Sequence, residues 1–153
     1  MKSLLNKIIS WSEVTLNKAK AIKAYDEALS LHSAKDYKQA FPIMKQAAEL
    51  GHPSAMSILG SMYLLGNGVS ENGNEAERWL KASLDSGFSE AGSVLGMAYV
   101  TGKAGVKIQR EKGIQLLTDA AQSGDNQAAE MLELIRKGVG IFAKKSPKGS
   151  TLH

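Results

Sequence analysis

Few side chains in this 153-residue chain have both the type and the spacing for chemistry. His32 and His52 lie in its body and His153 ends it. Neither His32 nor His52 has a second histidine or a carboxylate placed to converge on a metal, so both are expected to be structural. Glu75 and Glu77 stand where a helix should begin. The backbone dipole favours carboxylates there, so the pair reads as a solvated helix start and not as an acid–base dyad. Gly66–Asn67–Gly68 has part of a phosphate loop. It lacks the third glycine of a dinucleotide fingerprint, the Gly-Lys-Ser/Thr of a P-loop and a preceding strand, so it reads as a helix exit. No serine sits in a nucleophile elbow. The absence of cysteine removes thiol chemistry and disulfides. The chain is expected to be no enzyme, with no cofactor, no metal and no small-molecule substrate.

What the sequence does carry is a repeat. Residues 55–69 read AMSILGSMYLLGNGV and residues 91–106 read AGSVLGMAYVTGKAGV. Ala55, Leu59–Gly60, Tyr63 and Gly66 return 36 positions later as Ala91, Leu95–Gly96, Tyr99 and Gly102. Gly68–Val69 returns one residue late as Gly105–Val106. Gly51, Gly87 and Gly124 extend the period, as do Ala55, Ala91 and Ala128. A period in the mid-thirties marks a stacked helical array. Each unit should hold a helix A, a glycine loop, a helix B and a glycine turn.

Helix A of the first strong unit is expected over 53–65, with Ala55, Leu59, Met62 and Tyr63 on its packing side and Ile58 at the edge. Gly60 costs helix propensity and is explained by a close helix neighbour. Helix B is expected over 74–86, packing through Ala76, Trp79, Leu80 and Ser83. Ile114, Leu117 and Ala121 are the counterparts in the next unit. Gly87 and Gly124 sit where a helix end needs positive φ. The pattern of Leu-Gly, Tyr, Gly-Val, then Ala-x-x-Trp-Leu-x-Ala and Gly, resembles the Sel-one-like repeat family, a relative of the tetratricopeptide repeats. The strong match covers 53–124 and fragments extend it to 24–137. The usual acidic residue after Gly-Val is missing from both copies. The resemblance implies an all-α, right-handed solenoid of antiparallel helix pairs, here with about seven helices.

Upstream, 24–51 reads as a shorter copy closer to the tetratricopeptide form. Tyr25, Ala28, Leu29 and His32 form one stripe, and Asp36 caps a helix carrying Ala40, Ile43 and Ala47. Pro42 lies beyond the first turn of that helix and predicts a late start or a kink. Downstream, Glu133 and Arg136 replace the Gly and Tyr, as a polar capping element requires.

Three segments follow: an N-terminal amphipathic helix over 1–23 capping the array, a repeat domain over 24–137 and a flexible basic tail over 138–153. Leu4, Ile8 and Trp11 are expected to cover the first repeat. Two forms stay open for this region: one bent helix, or a helix starting at Ser10, which has capping-box spacing to Glu13. Residues 1–23 hold five lysines and one glutamate, and residues 134–153 hold five basic residues. The body between them has nine bases and fourteen acids, so an acidic array carries basic ends. No apolar run is long enough to span a bilayer and no targeting segment stands out, which predicts a cytoplasmic protein.

The predicted function is recognition of another protein or peptide through the concave A-helix face. Carrying wheel positions forward by 36 and 37 gives its expected lining: Ser54, Ser57, Ser61 and Leu64, then Glu90, Ser93, Met97 and Val100, then Gln127, Glu130 and Leu134. Leu64, Met97, Val100 and Leu134 would be apolar anchors, and Glu90 and Glu130 would select basic groups. An adaptor and an immunity protein occluding a cognate toxin both need only such a groove. The alternative is a peripheral membrane or nucleic-acid-associated protein acting through its basic ends. Residues 1–23 could contact a membrane, whereas no nucleic-acid motif accompanies the basic segments, which argues against that partner.

Overall fold

The computed structural model describes residues 2–138, and every regular element among them is helical. The order is α1 (Lys2–Ser33), α2 (Tyr37–Glu49), α3 (Pro53–Leu65), α4 (Gly73–Asp85), α5 (Ala91–Thr101), a 3-10 turn at Lys103–Gly105, α6 (Arg110–Gln122) and α7 (Asn126–Arg136). Each helix packs on the next in sequence. In addition α3 touches α5 and α5 touches α7. The end of α1, α3, α5 and α7 are the A helices, and α2, α4 and α6 the B helices. Except for Gly138, the expected flexible tail lies outside the described residues.

The helix boundaries have local causes. Asp36, Asn72 and Asp125 accept backbone N–H bonds from the first turns of α2, α4 and α7. Gly66 and Gly102 end α3 and α5 in the left-handed region at φ 70° and 69°. The extra residue before Gly105 is absorbed by the 3-10 turn, with Ala104 at φ 55°. Pro42 does not delay α2, which starts at Tyr37 and runs through it. Pro42 and Lys38, one turn earlier, are both exposed, so the hydrogen bond that proline cannot donate is lost on the solvent side of the helix.

The repeat positions serve as anticipated. Ala55, Leu59, Met62 and Tyr63 are buried, as are Ala91, Leu95 and Tyr99, in one core with Trp79 and Leu80. A Cβ on Gly60 would stand 2.6 Å from Leu80 Cγ, and one on Gly96 would stand 3.0 Å from Leu117 Cγ. Both glycines therefore let the B helix of their own repeat approach, at equivalent places. A second core joins Val100, Leu117, Ala120 and Ala128 across α5, α6 and α7.

The N-terminal segment departs from expectation. α1 is one continuous helix, so Ser10 starts nothing. Residues 3–20 are all exposed, and Trp11 is 74% accessible. The helix begins to pack only at Ala21, Ala24 and Ala28. The expected cap over the first repeat is absent: Leu4, Ile8 and Trp11 lie roughly 15–25 Å along the helix axis before Ala21, the first packed residue, and their stripe is turned roughly 130° from these alanines. A recess of about 510 Å³ separates Val14, Lys18 and Ile22 from Leu50–Pro53.

Candidate protein-binding face

The A helices α3, α5 and α7 present their flanks side by side, and two recesses open along them. One, of about 550 Å³, lies at the C-terminal ends of α3 and α5. It is lined by Ser61, Leu64, Leu65, Val94, Met97, Ala98, Thr101 and Lys103, and its surface is nearly all apolar. The other, of about 440 Å³, lies between the N-terminal half of α5 and the α6–α7 turn. Glu90, Asp125, Gln127 and the serines 57, 89, 93 and 123 supply its polar groups. Val94 borders both. The face is thus polar at one end of the helices and apolar at the other.

Its electrostatics are those of a weakly acidic basin. Asp125 receives the Gln127 and Ala128 N–H groups at 2.9 and 3.1 Å. The Ala128 bond holds its carboxyl below the usual value. It stays ionised near neutral pH, in the same recess as Glu90. Ser93 Oγ–H donates to the Glu90 carbonyl at 2.9 Å. At the rim of the apolar recess Lys103 pairs with Glu71 at 2.7 Å.

The structure brings together seven of the eleven expected lining residues. Ser61, Leu64 and Met97 reach the apolar recess, and Ser57, Glu90, Ser93 and Gln127 the polar one. Four positions are placed elsewhere. Val100 is 1% accessible inside the second core and anchors no partner. Of the seven that do line a recess, Leu64 is 6% accessible and forms floor more than contact surface. Ser54 is half-buried outside both recesses, and Glu130 and Leu134 are exposed on α7 without lining either.

The cause is a rotation. The following repeat closes one side of each A helix, where Ser57, Leu64, Ser93 and Val100 lie. The open sector therefore turns towards Leu65, Val94 and Thr101, which the wheel argument missed. Spacing held a signal for Leu65, since it lies four residues beyond Ser61 and so on the same face. Val94 is the equivalent of Ile58, which helical spacing puts at the edge of the packing side. On α7 no later helix closes Glu130 and Leu134 among the described residues.

His32, His52, Glu75 and Glu77 all have partners within the fold. His52 Nδ1 accepts the Ala55 N–H at 3.3 Å and caps α3, while its ring stacks on Tyr25 at 4.1 Å. His32 meets the Tyr37 ring edge-on. Glu75 pairs with Arg78 at 2.7 Å. Glu77 is more than a solvated helix start: it accepts the Tyr99 hydroxyl at 2.8 Å and pairs with Lys81. No cluster of metal-ligating side chains occurs among the described residues.

Comparison with known proteins agrees with this architecture. The family model of the Sel1 repeat matches residues 29–52, 53–88 and 92–125. Part of the chain is 37% identical over 59 residues to an uncharacterised protein of Neisseria meningitidis serogroup B, covering 36% of this chain and 13% of that one. A Sel1 repeat protein from Oxalobacter formigenes superposes with a TM-score of 0.63 at 26% identity, over 73% of this chain and 46% of the other. The protective antigen c5321 of uropathogenic Escherichia coli, which displays an SLR fold, gives 0.64 at 27% identity, over 88% and 29%. The cysteine-rich protein B of Helicobacter pylori shares the fold at 18% identity, with a TM-score of 0.54 over 75% and 96%. The chain thus spans less than half of the first two structural relatives.

Proposed function

Because the chain belongs to the Sel1 repeat family, whose members are generally protein-interaction modules, we propose that it is a non-enzymatic module gripping another protein across the α3–α5–α7 face. The observation that carries this reading is the pair of adjoining recesses joined at Val94. An apolar side chain of the partner fits between Leu65 and Met97, and a basic group fits against Glu90 and Asp125. Burying an apolar anchor and pairing a charge beside it is how a small face gains both affinity and register. The face suits an adaptor holding a segment of another protein. An immunity protein occluding a toxin would use the same residues, and identifying the partner separates the two roles.

The test is site-specific photo-crosslinking in the native cell. A photoreactive residue at Met97 should join the chain to one discrete partner, while the same probe at Lys81, exposed on α4, should not. Equal crosslinking from Lys81, or a partner that co-purifies yet never crosslinks from Met97, would move binding off this face.

A further inference from the structure

The N-terminal half of α1 has an apolar face that the array leaves uncovered. We propose that residues 4–22 dock as an amphipathic helix on an anionic lipid surface and hold the repeat array on the aqueous side. At 3.6 residues per turn, Leu4, Leu5, Ile8, Ile9, Trp11 and Leu16 fill a sector roughly 160° wide. All six are exposed, with Leu4 66% and Trp11 74% accessible. The sector is bordered by lysines on both flanks: Lys7 and Lys18 beside Trp11, and Lys20 beside Ile9. An apolar sector edged by long cationic side chains can sink to the acyl boundary while the ammonium groups reach the phosphates. Trp11 lies at that edge, where an amphipathic ring is favoured.

The geometry of the rest of the chain is compatible. Ala21, Ala24 and Ala28 dock α1 onto the array from a side about 180° away from the centre of the apolar sector. One rigid helix can therefore lie on a surface without lifting the array into it. Charge points the same way. Residues 4–22 hold three lysines against Glu13, with Lys2 and Lys23 beside them, whereas the array is acidic and would be repelled by anionic headgroups. A second copy fits less well. A two-helix seam through Leu4, Ile8, Trp11, Thr15, Lys18 and Ile22 would bury a lysine and a threonine. It would also leave Leu5, Ile9 and Leu16 in water.

Flotation of the full chain with vesicles tests this. Vesicles of phosphatidylcholine with roughly 30% phosphatidylglycerol should retain the protein at about 1 mM lipid, and pure phosphatidylcholine should bind at least about tenfold more weakly. Leu5→Glu with Ile8→Glu should reduce binding about tenfold or more while helicity and melting stay unchanged, because both positions are exposed. Lys7→Gln and Lys20→Gln should each weaken it about fivefold. In a Trp79→Phe background, Trp11 emission should shift to the blue only when anionic vesicles are added. Absence of retention, retention unaffected by the double glutamate variant, or a concentration-dependent blue shift without lipid would each overturn the proposal. The last of these would identify a second copy as the occupant.

Discussion

Tyr99 on α5 donates its hydroxyl hydrogen to Glu77 on α4 across 2.8 Å, tying one repeat to the next by a charge-assisted bond. The Tyr99 side chain is buried and Glu77 is also held by Lys81. Tyr99→Phe keeps the ring and removes the bond, and should cost about 1–2 kcal/mol in chemical denaturation. The Lys81 ammonium first, and then the Tyr99 hydroxyl, lower the Glu77 pKa from its ordinary 4.5. A folded value below the unfolded one makes this contribution complete above about pH 4.5 and lost as pH falls further. The gap between parent and variant should therefore narrow under acid. A constant gap from pH 7 to pH 3 would show that the bond is not to the carboxylate.

His52 gives a second pH dependence, nearer neutrality. It caps α3 through an unprotonated Nδ1, and burial lowers its pKa from the ordinary 6.5, against a raising influence of Asp26. The folded state thus binds its proton less readily than the unfolded chain. Its contribution is intact above pH 6.5 and declines as pH falls through the lowered value. His52→Asn retains a cap acceptor without the titration. Melting temperature should fall less between about pH 7.5 and 5.5 in this variant than in the parent. Parallel curves would place the titrating group elsewhere.

The fold was legible because stacking writes itself into the sequence. Gly60 and Gly96 recur at the close approach of two helices, and no other side chain fits there. The face was legible only in part, because a helical wheel orders residues around one helix and does not know where the next repeat stands. That is why Val100 reads as an anchor and proves to be core, while Leu65 and Val94 go unnoticed. α1 differs from its expected packing for a related reason. Its apolar residues predict a helix, but residues 4–16 and 21–28 carry their stripes on opposite sides, and only the second meets the array.

Trp79 tests the core between repeats. The residue is 6% accessible, Arg78 lies 4.2 Å above its ring, and its Nε1–H finds no partner in good hydrogen-bond geometry, although its dipole helps to lower the Glu75 carboxyl pKa after the larger influence of Arg78. Trp79→Ala should cost about 3–5 kcal/mol by lost burial and a cavity, with Leu59→Ala and Leu95→Ala somewhat less. Trp79→Phe should cost far less than Trp79→Ala, because a smaller volume is lost and no well-formed hydrogen bond is broken. Similar losses in both Trp79 variants, measured by urea titration, would mean that the indole N–H is satisfied after all.

The rotation of the open sector makes the A-helix face separable from the core by mutation. Met97 and Val100 lie three residues apart on α5, yet Met97 is 38% accessible and Val100 is sealed between α5, α6 and α7. Val100→Glu buries a charge without a partner and should destabilise the array by about 3 kcal/mol or more. Met97→Glu with Leu65→Glu places two charges at the mouth of the apolar recess, where water reaches them, and melting should shift by no more than a degree or two. On the binding proposal this folded double variant should lose capture of the partner that crosslinks at Met97. Glu90→Lys, at the polar end, should weaken capture separately by reversing the charge offered to a basic group. If the Leu65/Met97 variant melts like the parent and still retains its partner, the recess is not the contact surface. If it melts several degrees lower, Leu65 and Met97 belong to the core, and the open sector has been assigned to the wrong side of α5.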